Sequence, residues 1–249
     1  MKKLFLLFII GLLCLITIEC YGTQIDSNYG KPLIILTETD PWSMVIGSDV
    51  PTFALYQKGQ VIYKITEKKI LTFYEITLNK QELQKLIKSI DISEIIYKQK
   101  NKFIASRSTD QPSTTLILNL KRSKSIFIYG DISDKGEARK KIPKEFMKIY
   151  DFLKKYKNNK AKVWLPEKIE LIFWDYNYAP TKRPWIKGFP NLKTRTTIKF
   201  DNDNYSVFID KKHFGEFKKY FLSLGEKEAV EINGRKMAVS YRFPFPNIK

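Results

Sequence analysis

The residue types present rule out most chemistries and leave a few. His213 is the single histidine among 249 residues. A serine–histidine hydrolase would have to be built on it, with an aspartate and an exposed nucleophile beside it in space. No GxSxG strand–turn–helix pattern occurs, and His213 reads more simply as a polar residue in the first turn of a helix. Histidine zinc sites need several imidazoles. The chain has no P-loop, and no GxGxxG follows a strand. No metal and no cofactor are expected, and no catalytic residue is assigned. What stays open is a carboxylate pair, as in glycan hydrolysis, where two acids face each other across a cleft. Asp40, Asp49, Glu170 and Asp175 lie near aromatic residues, but the distance between carboxyl groups is a property of the fold. Glu38, Asp40 and Asp49 gather within Thr37–Pro51 and could offer oxygen ligands to a hard cation. Their spacing matches no compact calcium loop, so turn-forming or surface acids are the plainer reading.

The stretch best suited to recognition is Phe173–Trp185, FWDYNYAPTKRPW. Tyr176, Tyr178 and Trp185 gather around Arg183 in a Pro-containing connection, and these four are the candidate binding residues. Such a loop can stack on sugar rings, anchor a partner protein, or hold a carboxylate through the guanidinium. The competing reading is that the aromatics plug a junction between two halves of the molecule. Trp174 continues the strand Ile169–Trp174 and is assigned to the core. Burial of Tyr176, Tyr178 and Trp185 together would end the recognition reading.

The elements that must position these residues are legible in hydrophobic periodicity. Phe53–Tyr56 and Val61–Thr66 flank Gln57–Gln60 as a hairpin. Val61, Tyr63 and Ile65 alternate with Lys64 and Thr66, which predicts one buried and one wet sheet face. Leu71–Thr77 adds a strand. Asn79 and Glu82 open a helix with a capping box, and Leu83, Leu86, Ile87 and Ile90 form its apolar stripe. Asp91–Gln111 reads as polar and irregular. A second hairpin, Thr115–Leu120 with Ser125–Tyr129, precedes a helix that starts at Pro143 and carries Phe146, Ile149, Tyr150 and Leu153. Strand Leu33–Leu36 comes before all of these. In the second half, Thr196–Phe200 and Tyr205–Ile209 form a hairpin. Asp210 is expected to cap a helix bearing Phe214, Phe217, Phe221 and Leu224, and Gly225 to end it. Glu228–Ile232 meets Arg235–Tyr241 across Asn233-Gly234, a strong two-residue turn signal. The fold class is therefore α+β: antiparallel sheets with helices packed on one face, in two related hairpin–helix–hairpin subdomains at 23–158 and 159–249.

Residues 1–22 read as a signal peptide: two lysines, then the apolar run Leu4–Ile18, which falls short of the roughly 20 residues of a membrane span. Export to the periplasm or outside the cell follows. Lipid anchoring through Cys20 is the alternative, opposed by Glu19 where a lipoprotein signal wants a small residue. Both cysteines, Cys14 and Cys20, lie in this segment, so a chain cut after Gly22 holds no disulfide and no thiolate chemistry. The formal charge of +18 invites a nucleic-acid partner. Export argues against one, and so does arginine content: only seven of the 44 basic residues are Arg, whereas base and phosphate readout favours the guanidinium fork. A solvated lysine surface, or attraction to an anionic envelope polymer, fits better.

PTFALYQKGQVIY (51–63) with its capped helix, and EINGRKMAVSYRFPFP (231–246), resemble an uncharacterised family of exported bacterial domains. The resemblance implies export and an α+β fold, and it brings no activity and no site residue. The expectation is a non-catalytic exported envelope protein that binds another protein or an anionic wall polymer. The alternative is a carboxylate-dependent glycan hydrolase.

Overall fold

The computed structural model describes residues 26–41, 49–67, 70–201 and 203–248. The N-terminal apolar run with Cys14 and Cys20, and Trp42, lie outside the described residues. The fold is α+β, with two mostly antiparallel sheets.

The first sheet is eight-stranded. Its members are β1 (Pro32–Thr39), β2 (Pro51–Tyr56), β3 (Gln60–Glu67), β4 (Ile70–Thr77), β5 (Lys102–Ile104), β6 (Ser113–Asn119), β7 (Ser123–Tyr129) and β8 (Lys162–Val163). They run in the order β5-β7-β6-β1-β2-β3-β4-β8. β1 is central, pairing Ile35 with Ala54 on one side and with Ile117 on the other. Helices α1 (Lys80–Ile90) and α2 (Glu94–Lys98) lie between β4 and β5 in the chain, and α3 (Lys144–Lys154) between β7 and β8. Leu86, Ile90, Ile96, Phe146, Ile149 and Leu153 from these helices close one core with Ile34, Leu36, Phe53, Leu55, Leu116 and Ile128 from the sheet.

Local signals hold where they are strongest. Asn79 accepts from the amides of Gln81 (3.0 Å) and Glu82 (2.9 Å), and Glu82 accepts from the Asn79 amide (2.9 Å), completing the capping box. Gly59 closes the β2–β3 turn at φ 93°, where an added Cβ would lie 2.2 Å from the Leu78 carbonyl oxygen. Only glycine fits there.

Four expectations need correction. The second face of the first sheet is not wet: Ala54, Tyr56, Ile62 and Phe73 are buried there beneath Trp164 and Phe245, with Phe243 packed alongside. A tail from the far end of the chain covers them, which the alternation of Val61, Tyr63 and Ile65 cannot reveal. Residues 91–111 contain α2 and β5, and β5 pairs in parallel with β7. Asp210 makes no side-chain capping bond; it pairs with Lys168 at 2.6 Å. Gly225 does not end the last helix, which closes at Ser223, whose hydroxyl donates to the Tyr220 carbonyl (2.7 Å).

The second sheet is six-stranded, in the order β10-β13-β14-β9-β12-β11. It comprises β9 (Lys168–Asp175), β10 (Thr181–Pro184), β11 (Ile198–Lys199), β12 (Tyr205–Asp210), β13 (Glu228–Ile232) and β14 (Arg235–Arg242), with α4 (Phe214–Leu222) against one face. Ile169, Leu171, Phe173, Val207, Phe217, Val230 and Val239 form its core. Asn233 and Gly234 both take positive φ (51° and 80°), as the tight β13–β14 turn requires. Beyond β14, Asn247 accepts from the Asp26 amide (2.7 Å) and donates to the carbonyls of Asp26 (3.0 Å) and Gly30 (2.7 Å).

Candidate functional site

The segment Phe173–Trp185 divides among three settings. β9 ends at Asp175, and the chain turns through Tyr176–Ala179, held by the Tyr176 amide on the Lys236 carbonyl (3.0 Å) and by the Lys236 ammonium on the Ala179 carbonyl (2.8 Å). Tyr176 and Tyr178 come together here as an edge-on pair with centroids 5.1 Å apart, and Tyr178 is 83% exposed. The chain then forms β10, parallel to β13, where the sequence suggested a connection without a strand. Arg183 and Trp185 turn toward α4. The Arg183 guanidinium forks onto Glu228 (3.2 and 3.0 Å) and donates to the Ser223 hydroxyl (2.7 Å). Trp185 meets the rings of Phe173, Phe189, Phe217 and Tyr220, and its indole N–H donates to the Pro190 carbonyl (2.8 Å). The Gly225 amide, joined by Arg183, holds the Glu228 carboxyl below its ordinary value. Burial pushes the Tyr220 phenol up to about 12. Of the four candidate binding residues, two thus share a surface, while Arg183 has its own carboxylate and Trp185 packs into the second core.

The acids are likewise engaged. Glu170 is 4% exposed and accepts from Arg242 (2.6 and 3.1 Å) and from the Ser206 hydroxyl. Glu38 accepts from Thr52 (2.7 Å), Tyr150 (2.8 Å) and Lys154. Burial works against its ionisation, but the Lys154 ammonium and the two hydroxyls outweigh burial and hold the carboxyl below its ordinary value. Asp49 accepts from the Asp40 amide (3.4 Å), and burial raises its carboxyl above the usual range. Asp175 lies 3.9 Å from Arg235. Among the described residues no three His, Cys, Asp or Glu side chains gather to hold a metal ion. His213 sets its ring edge-on to Phe189, centroids 5.3 Å apart.

The site that sequence reasoning missed is a cleft of about 570 Å³ at one end of the first sheet. Lys31, before β1, and Lys121 and Arg122, in the β6–β7 turn, bring three cations to it, and among the described residues no carboxylate lines it. Gln57, from the β2–β3 turn, joins them, while the half-buried carbons of Pro32, Leu33 and Leu120 supply apolar wall. Arg122 is pre-set: Glu94 pairs with one edge of its guanidinium, and its plane lies 4.6 Å from the Tyr97 ring centroid. Among the described residues, Lys31 and Lys121 have no ion-pair partner. A smaller depression of about 270 Å³ between the starts of α2 and α3 differs in kind, because the Asp91–Lys148 pair balances its charge. The only sequence signal for the cleft was the pair Lys121-Arg122 in a turn. Its convergence with Lys31 depends on β1 pairing with β6.

Compared with protein-family models, with curated proteins and with solved structures, the chain matches none. The resemblance noted above therefore rests on two segments, which form the β2–β3 and β13–β14 hairpins.

Proposed function

We propose that this chain is a non-catalytic binding module of the bacterial envelope, exported by its leader, whose ligand is an anionic wall polymer. The observation that carries this reading is the cleft of Lys31, Lys121 and Arg122, a concave surface with three cations and, among the described residues, no acid. Glu94 offsets part of the Arg122 charge from outside the cleft, while Lys31 and Lys121 have no ion-pair partner among the described residues. A net positive concavity concentrates anions and speeds their capture. Glycan hydrolysis draws no comparable support: of its candidate acids Asp40, Asp49, Glu170 and Asp175, Glu170 is forked onto Arg242, Asp175 lies 3.9 Å from Arg235, and Asp49 accepts from the Asp40 amide. A protein partner is the second reading, favoured by the exposed Tyr178 beside Tyr176. Residues 23–158 and 159–249 are read as related subdomains, on the ground that each supplies most of one sheet and a core beneath α-helix on one face, with β8, Trp164 and the segment after β14 crossing back onto the first sheet.

The test is co-sedimentation of the purified protein with cell-wall fragments, with and without their anionic polymers, across a salt series. Binding that needs the polymer and weakens progressively with salt is expected. Binding indifferent to the polymer would sink this reading and turn attention to Tyr178.

A further inference from the structure

We infer that the cleft at the β6–β7 turn takes a phosphate ester carried on a carbon body. This inference rests on the polymer-binding reading above and narrows it to one site and one class of anion.

The donors come from three separate parts of the chain. Lys31 precedes β1, Gln57 belongs to the β2–β3 turn, and Lys121 and Arg122 belong to the β6–β7 turn. Such donors approach a ligand from different directions. A carboxylate presents two oxygens in one plane and is best met by one fork. A phosphate presents oxygens tetrahedrally and suits a mixed set of one planar guanidinium and two mobile ammonium groups. Within this protein Arg183 and Arg242 each meet one carboxylate with a single two-bonded fork, and surface carboxylates such as Asp91 and Asp210 take one lysine each, whereas the cleft gathers a guanidinium and two ammonium groups.

The frame is fixed before any ligand arrives. The Asn119 amide donates to the Pro32 carbonyl (3.1 Å) and accepts from the Ser123 hydroxyl (3.0 Å), while the Gln57 backbone amide bonds the Lys31 carbonyl (2.9 Å). These three bonds tie the contributing segments together. Arg122 is exposed and rests against Glu94 and the Tyr97 ring, which orient its guanidinium beside the cleft. Beside the cations, Pro32, Leu33 and Leu120 offer carbon surface, and about 570 Å³ is far more than a bare phosphate fills. The size falls within the roughly 300–1,000 Å³ of small-molecule sites. A phosphate with its attached polyol uses both parts of the cleft.

The experiment is calorimetric titration of the purified protein with poly(glycerol phosphate), with poly-glutamate of matched charge, and with inorganic phosphate. Two triple variants are compared: Lys31→Gln/Lys121→Gln/Arg122→Gln in the cleft, and Lys193→Gln/Lys218→Gln/Lys227→Gln elsewhere, with circular dichroism confirming the fold of each. The parent protein should prefer poly(glycerol phosphate) to both other probes. The cleft triple should weaken that binding by about tenfold or more, the loss expected for even one charge-assisted contact. The remote triple should change it little. Equal weakening by both triples overturns the assignment of the site and leaves the polymer reading standing. Equal affinity for poly-glutamate overturns the choice of phosphate. Equal affinity for inorganic phosphate overturns the carbon body. No binding of poly(glycerol phosphate) to the parent, with wall binding intact, overturns the ligand alone; loss of both overturns the reading beneath it.

Discussion

The cleft at the end of the first sheet and the packed region under α4 use the same residue types to opposite ends. Under α4, Arg183 is forked onto Glu228 and donates to the Ser223 hydroxyl, so its charge is matched within the protein. In the cleft, Lys31, Lys121 and Arg122 stand together, and among the described residues no acid lines the space. Five of the seven arginines sit in ion pairs: Arg122, Arg139, Arg183, Arg235 and Arg242. A net charge of +18 is therefore not one property. Among the described residues arginine mostly ties elements of this fold together, while Lys31 and Lys121 in the cleft have no ion-pair partner. Arg122 is both paired and part of the cleft.

The largest effect should come from breaking a matched pair. Arg242→Ala leaves Glu170 buried without its guanidinium, and denaturant unfolding should register a loss of roughly 3 kcal/mol. The double variant Arg242→Met/Glu170→Leu should recover most of that loss; failure to recover would mean the pair does more than neutralise itself. Trp185→Ala should cost about 2–3 kcal/mol, reduced from a full core truncation because the ring is half-buried. It should leave wall binding unchanged. If binding falls while stability holds, the region under α4 is a recognition surface and the comparison reverses.

Acid should act on the matched side as well. The Glu38 carboxyl is held below its ordinary value, so in mild acid the unfolded chain binds more protons than the folded one. The stability Glu38 contributes is present above the unfolded carboxyl range, near pH 4.3, and drains away as pH falls through the folded value. Glu38→Gln should therefore flatten the acid limb of a stability–pH curve, and an unchanged limb would refute this role. Smallest of all should be Tyr178→Ala, within about 0.5 kcal/mol because the ring is exposed. A partner protein that loses affinity for this variant would move the functional surface to the second sheet.

What was legible in the sequence was local. The capping box at Asn79 and Glu82 and the Asn233-Gly234 turn depend on residues within a few positions of each other, and both formed as expected. The parallel strands β5 and β10 were not legible, because short parallel pairings have no hairpin turn to announce them and borrow their order from a distant neighbour. Asp210 has the right residue type for a cap but found a stronger partner across the strands in Lys168. Tyr178 could be named from the sequence because aromatic clustering is a compositional signal. The cleft could not, because Lys31 meets Lys121 only after β1 and β6 have paired, Ile34 beside Leu118.

The bonds of Asn247 to Asp26 and Gly30 have a topological consequence. They bring two points at opposite ends of the described chain within one hydrogen bond of each other. A short peptide joining them would make the fold a ring with little displacement of its strands. Such a ring has fewer unfolded conformations to lose, so closure would act on the unfolded ensemble and leave the native contacts as they are. The same adjacency makes this protein suited to circular permutation, with new ends opened in an exposed turn.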